Sequence, residues 1–200
     1  MVKSKVGGGV WTPANIVTVL RICLMPLWLL VAEFSVPAQT SISVSALVVF
    51  LGFMFISLTD KLDGYLARSR GEVTTFGKFL DPIADKLAVV VAFCYLLEIG
   101  MSSSWVLLIV VAREFLVSGL RMVVANEGVV VAASNLGKWK TAITMIAICG
   151  LLFVRIFVPS PFVDALLLLS NILVVISVIL TAWSGIDYFI QCWPYVAEKK

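Results

Sequence analysis

Apolar runs broken by charged or turn-forming residues divide the chain into six segments, near residues 16–34, 41–58, 85–97, 104–124, 142–158 and 164–190. A helix of roughly 20 apolar residues spans a bilayer, so the pattern predicts an all-α integral membrane protein with six transmembrane helices. Thr12-Pro13-Ala14-Asn15 has turn and cap chemistry. Residues 15–21 are expected to lie along the membrane surface as an N-terminal interfacial helix before the chain dives. The third run is short and carries Asp81 and Asp85 at its entrance. Pro82 leaves two starts open there: Asp81 caps a helix that begins at Pro82, or the helix begins earlier and kinks at Pro82.

Composition narrows the class. Of 200 residues, 61% are hydrophobic and only 14% charged, and the mean hydropathy is +1.07, well outside the range of soluble domains. Six spans leave about 80 residues for termini and connections, too few for a separate soluble domain, so residues 1–200 read as a single membrane domain. Disorder, collagen and a disulfide scaffold are excluded. The chain has no histidine, which excludes a His-ligated zinc, copper or haem site and leaves carboxylates or thiols for any metal. Cys23, Cys94, Cys149 and Cys192 stand singly in apolar stretches and read as small buried hydrophobes.

The net charge of +3 matters less than its distribution. Apart from Arg155, the connections near residues 33–41, 98–104 and 156–164 contain no Lys or Arg. The other basic residues mark the opposite face, which the positive-inside rule makes cytoplasmic. With an even number of spans, both termini share that side. Lys3 and Lys5 before an apolar run resemble the start of a signal peptide, but Arg21 interrupts the run and five more spans follow, so the segment reads as a retained helix. The expected location is the cell (inner or plasma) membrane, multi-pass, with both termini and the active site cytoplasmic.

Between the second and third spans the chain reads Asp60-Lys-Leu-Asp63-Gly64-Tyr-Leu-Ala67-Arg68, then eight residues, then Gly77-Lys-Phe-Leu-Asp81-Pro-Ile-Ala-Asp85. On a helix of about 100° per residue, Asp60, Asp63, Gly64 and Ala67 share an arc of about 100°, and Asp81 and Asp85 differ by about 40°. Four carboxylates at membrane depth repel one another unless a counter-charge compensates them. Divalent cations supply it. All-oxygen ligands select a hard ion such as Mg²⁺ or Mn²⁺, and four Asp side chains suffice for the two-ion arrangement of phosphoryl transfer. Absent bulk at Gly64 and Ala67 would let a phosphate-bearing ligand approach the backbone, and Arg68 adds a donor for phosphate oxygens. A lone Asp beside Lys or Arg at a membrane surface is usually a plain ion pair. Four at paired helical spacing with small residues between them are not so explained.

This string resembles the signature of the CDP-alcohol phosphotransferase family, integral membrane enzymes with six helices, and every signature position is filled. The resemblance implies displacement of CMP from a CDP-linked donor by an alcohol, with two divalent cations on the diphosphate. It makes Asp60, Asp63 and Asp81 the principal metal ligands and Asp85 both ligand and general base. Gly64, Ala67, Arg68 and Gly77 would shape the nucleotide pocket.

The fourth span holds Arg113-Glu114 after an apolar run, with Arg121 two turns on, and Gly137-Lys138-Trp139-Lys140-Thr141 opens the fifth. Intramembrane charges usually pair, so one reading is an internal ion pair of Arg113 or Arg121 with Glu114. Lys138 and Lys140 beside Trp139 also suit interfacial anchoring. The other reading assembles Arg113, Arg121, Lys138, Lys140 and Thr141 into an anion pocket beside the carboxylates, as an acceptor with its own phosphate would need.

Ala112-Arg113-Glu114-Phe115-x2-Ser118-x-Leu120-Arg121, Gly137-Lys138-x-Lys140-Thr141-Ala142, Trp183-Ser184-Gly185-x2-Asp187-Tyr188 and Asn15-x2-Thr18-x2-Arg21-x4-Pro26 resemble the bacterial phosphatidylglycerophosphate synthases within that family. The implied substrates are CDP-diacylglycerol and sn-glycerol 3-phosphate, the implied products phosphatidylglycerophosphate and CMP, and the implied assembly a homodimer in membrane lipid. No nucleic-acid partner is expected. Another acceptor within the same chemistry, as in cardiolipin or phosphatidylinositol-phosphate synthesis, is the nearest alternative. A divalent-cation transporter is the alternative from another class, but the external halves of the spans are almost purely apolar and offer no crossing route.

Overall fold

In the computed structural model, residues 12–70, 75–126 and 135–197 are described, apart from the side chains at 14, 60–70, 75, 78, 79, 81, 125, 126, 135, 136, 138 and 196. Among these residues the chain forms six helices and no strand. They are α1 (Pro13–Glu33), α2 (Val44–Arg70), α3 (Thr75–Glu98), α4 (Ser104–Asn126), α5 (Asn135–Val154) and α6 (Pro161–Val196).

The start of α1 is set by its cap: the Thr12 hydroxyl accepts a hydrogen bond from the Asn15 N–H at 3.3 Å, and Pro13 supplies a preset φ at the first helical position. From there the helix runs unbroken to Glu33. Residues 15–21 are its first turns, so the separate interfacial helix expected from the sequence is not present among the described residues. The stretch contains no Gly or Pro to end a helix, and the Arg21 side chain is buried within the protein.

Helices α2, α3 and α5 extend past the apolar runs that predicted them. The carboxylate string lies on the last turns of α2 and the first turns of α3. Pro82 is internal to α3, which settles its two open starts in favour of the earlier one. A charged side chain ends an apolar run without ending the backbone ladder of a helix, so hydropathy ends α2 too early and starts α3 and α5 too late. The same charges shorten the apolar stretches. Only α1, over Asn15–Glu33, and α6, over Pro161–Tyr195, carry one long enough to cross a bilayer among the described residues, whereas Val44–Thr59 and Trp139–Val154 are shorter.

The main core joins α1, α2, α3 and α5 through Met25, Trp28, Phe53, Phe93, Leu96 and Ile148. Trp28 donates its indole N–H to the Val49 carbonyl at 2.8 Å, and the missing side chain of Gly52 lets the ring approach α2. A second cluster, Val117, Val124, Tyr188 and Cys192, seals α4 against α6. No cysteine is in a disulfide, and of the four only Cys192 is buried; Cys23 and Cys94 are exposed, which corrects their reading as core residues. A thiol behaves as a small hydrophobe, and on the apolar outer face of a helix it needs no cover from its own chain.

Side-chain contacts orient the bundle. At one end, Arg155 donates to the Tyr95 hydroxyl and, at 3.3 Å, to the Ser35 carbonyl, joining the ends of α1 and α3 to the connection after α5. At the other end, the start of α3 and the start of α5 meet the second half of α4. The contact of α5 with α6 is close: a Cβ at Gly150 would stand 3.2 Å from Ser170 Cβ, and Ser170 Oγ is itself held at 2.8 Å from the Leu166 carbonyl. Gly150→Val is therefore expected to destabilise the protein by about 1–3 kcal/mol, the usual cost of overpacking. A lowered unfolding temperature in detergent is the check; an unchanged one would show that α5 and α6 move apart freely.

Candidate active site

Glu114 sits in the middle of α4 with its side chain 15% exposed, and three cations from three helices converge on it. Lys140, near the start of α5, bonds Glu114 Oε1. Arg113, its neighbour in α4, reaches the same oxygen through Nη1 at 3.1 Å. Lys86, near the start of α3, lies 3.6 Å from Oε2, 3.4 Å from the Glu114 carbonyl oxygen, and donates to Ser118 Oγ. Ser118 passes its own proton to the Glu114 carbonyl at 2.6 Å, four residues back on the same helix.

This arrangement combines the two sequence readings. Glu114 does form the internal ion pair, with Arg113 rather than Arg121, and Arg113 and Lys140 do come together. Three cations from three helices surround Glu114, with Asp85 as a second carboxylate within electrostatic reach of Lys140, in surroundings where uncompensated charge is costly. An anion is what such a cluster accepts. Asp85, on α3 immediately before Lys86, is within electrostatic reach of the Lys140 ammonium, so this carboxylate and the cations share one region.

The other expected residues are less convergent. Arg121 is exposed on α4. Thr141 spends its hydroxyl proton on the Gly137 carbonyl at 3.1 Å, which leaves the oxygen lone pairs. Gly77 is buried in the second residue after Thr75 of α3. The side chains of Asp60, Asp63, Ala67, Arg68, Asp81 and Lys138, with Gly64, lie outside the described residues, although the backbone carries Asp60 to Arg68 on α2 and Asp81 on α3. Accordingly no group of three or more His, Cys, Asp or Glu is assembled among the described residues. As a donor set, two aspartates late in α2 and two early in α3 are all-oxygen and acidic, the chemistry a hard divalent cation takes.

Sequence reasoning used Lys86 only as a marker of orientation. The available signal was its place beside Asp85 at the start of the same helix. Ser184 was likewise only part of a motif, yet its Oγ accepts from Arg113 Nε at 3.3 Å. No local pattern relates residues 71 apart in the chain.

Residues 11–183 match the CDP-alcohol phosphatidyltransferase family, a span running from α1 through most of α6 and including the whole cluster. The chain belongs to that family. A relative from Bacillus subtilis (strain 168), named CDP-diacylglycerol--glycerol-3-phosphate 3-phosphatidyltransferase, is 39% identical over 188 residues, covering 90% of this chain and 94% of its own. Relatives of the same name from Haemophilus influenzae and Pseudomonas fluorescens are each 36% identical, over 86% and 91% of this chain and 88% and 90% of theirs.

Proposed function

We propose that this chain transfers the phosphatidyl group of CDP-diacylglycerol to sn-glycerol 3-phosphate, giving phosphatidylglycerophosphate and CMP. The observation that carries the choice of acceptor is the convergence of three cations from three helices at Glu114, beside Asp85. An acceptor with a neutral head has no use for it. The names of the relatives support the same reaction.

In the proposed mechanism Asp60, Asp63, Asp81 and Asp85 hold two divalent cations, Mg²⁺ or Mn²⁺. When bound, the cations supply positive charge to the diphosphate of the donor. Gly64, Ala67, Arg68 and Gly77 receive the nucleotide. Arg113, Arg121, Lys138, Lys140 and Thr141, joined by Lys86, receive the phosphate of the acceptor and so place its primary hydroxyl. Asp85 takes the proton from that hydroxyl. The acceptor oxygen then bonds to the phosphorus bearing diacylglycerol as the bond from that phosphorus to CMP breaks, and CMP leaves.

The reading places all six helices across the cell membrane with both termini and the site cytoplasmic. Three cations of the cluster stand at the carboxylate end of the bundle, which supports that orientation. Phe115, Phe162 and Trp183, respectively 76%, 74% and 65% exposed, suit contact with lipid tails. The assembly is read as a homodimer from family resemblance.

The test is CMP release from CDP-diacylglycerol by the purified protein with glycerol 3-phosphate, inositol phosphate, phosphatidylglycerol, serine and plain glycerol. Glycerol 3-phosphate should be the best acceptor. A charge-assisted contact is worth roughly 1.5–3 kcal/mol, so Lys140→Ala should lose at least about tenfold in acceptor kcat/KM with little change in the donor KM. Plain glycerol should be poor with the parent and lose little more in the variant. Equal losses with both acceptors would assign Lys140 to the donor and remove the support for a phosphorylated acceptor.

A further inference from the structure

We infer that Ser184 and Gly185 of α6 are positioning residues for the acceptor site, acting through Arg113. The inference rests on the proposed acceptor reading.

Arg113 is held on two sides. Its Nε donates to Ser184 Oγ at 3.3 Å and its Nη1 to Glu114 Oε1 at 3.1 Å. Ser184 is 1% exposed, and its own proton goes to the Thr181 carbonyl at 3.1 Å, so its lone pairs are turned to the guanidinium. Gly185 provides the space. A Cβ there would stand 3.1 Å from Arg113 Cγ and 3.9 Å from Arg113 Cβ, the former inside the usual carbon separation of about 3.5–4 Å. Arg113 therefore lies flat against α6 because residue 185 has no side chain.

A guanidinium has five N–H donors in one rigid plane. With Nε and one Nη1 hydrogen engaged by protein, the plane is set, and three donors remain among the described partners for a phosphate. Arg binds phosphate well when its fork is pre-oriented. Moving the plane spoils that match while leaving the charge. The step Ser184-Gly185 thus sets how well the site recognises a phosphorylated acceptor, although neither residue is expected to touch it.

The experiment measures CMP release with glycerol 3-phosphate and CDP-diacylglycerol varied in turn, for the parent, Gly185→Ala, Ser184→Ala and Ile186→Ala. Gly185→Ala should raise the acceptor KM about tenfold and Ser184→Ala about fivefold, with the donor KM within twofold of the parent and kcat at saturating acceptor largely kept. Ile186→Ala, on the exposed face of α6, should match the parent. Donor and acceptor KM rising together, or neither rising, would overturn the inference. Should Gly185→Ala not be recovered folded, the Ser184→Ala comparison decides alone, since it removes only a hydroxyl. A parent that rejects glycerol 3-phosphate would overturn the acceptor reading and this inference with it; a parent that accepts it, with unchanged variants, overturns the inference only.

Discussion

Asp81→Asn is expected to reduce CMP release by about 10³-fold or more, and Asp60→Asn should do the same. Each replaces a carboxylate by a neutral amide of equal size. In the proposed mechanism that removes one negative charge and one oxygen ligand from the pair of cations on the donor diphosphate. Cation stabilisation of a phosphoryl-transfer transition state is worth several kcal/mol, and each 1.36 kcal/mol is tenfold in rate, which gives the size of the effect. Excess Mg²⁺ or Mn²⁺ should not restore the full rate, because the geometry of the pair is lost as well as its affinity. Helical content should be unchanged, since both positions lie on helices and a helix is held by bonds between main-chain groups. Near-parental turnover in folded Asp81→Asn would sink the two-cation reading.

Asp85→Asn is expected to act differently. Loss of a general base commonly costs about 10²–10⁴-fold, so turnover should fall within that range while CDP-diacylglycerol still binds in the presence of divalent cation. Asp85 is half-buried on α3, immediately before Lys86 and within electrostatic reach of Lys140. It therefore belongs to the carboxylate string by sequence and lies within reach of a cation proposed to hold the acceptor phosphate, as a base acting on the acceptor hydroxyl would. Titrating donor binding against turnover separates its two proposed duties. Donor affinity that falls in proportion to rate would make Asp85 chiefly a ligand.

These three variants also mark how far the site was legible in the chain. The aspartates could be found without a structure because a helical period converts their spacing directly into a shared face. Arg113 was found because charge inside an apolar run is rare, and Lys140 because a pair of ammoniums opens the fifth span. What each of them faces was not legible. Lys86 lies 28 residues from Glu114 and Lys140 lies 26 away, and nothing in the intervening apolar sequence specifies that α3 and α5 both meet α4 at that level. Arg121 shares the charge and the helix of Arg113, yet it is exposed while Arg113 is held against Ser184 and Glu114.

Helix boundaries show the same division. Hydropathy registered the apolar centres of all six helices and missed the polar turns of α2, α3 and α5, because a backbone ladder continues through charged residues when they line a site. The interfacial helix expected before the first span is instead the first turns of α1, where packing against neighbouring helices gives Arg21 an interior place that its charge alone does not announce.

By itself, then, the sequence determined the helical class, the acidic string and the family, all properties of composition or of spacing within one or two adjacent helices. Tertiary structure alone decided that Glu114 gathers Lys86, Arg113 and Lys140, and that Ser184 and Gly185 of α6 set the plane of Arg113. Those relations depend on which helices pack together and at what height. That is settled by close fits such as Ser170 against the bare backbone of Gly150 and Arg113 against that of Gly185, whose complementarity exists only once both helices are formed and in contact.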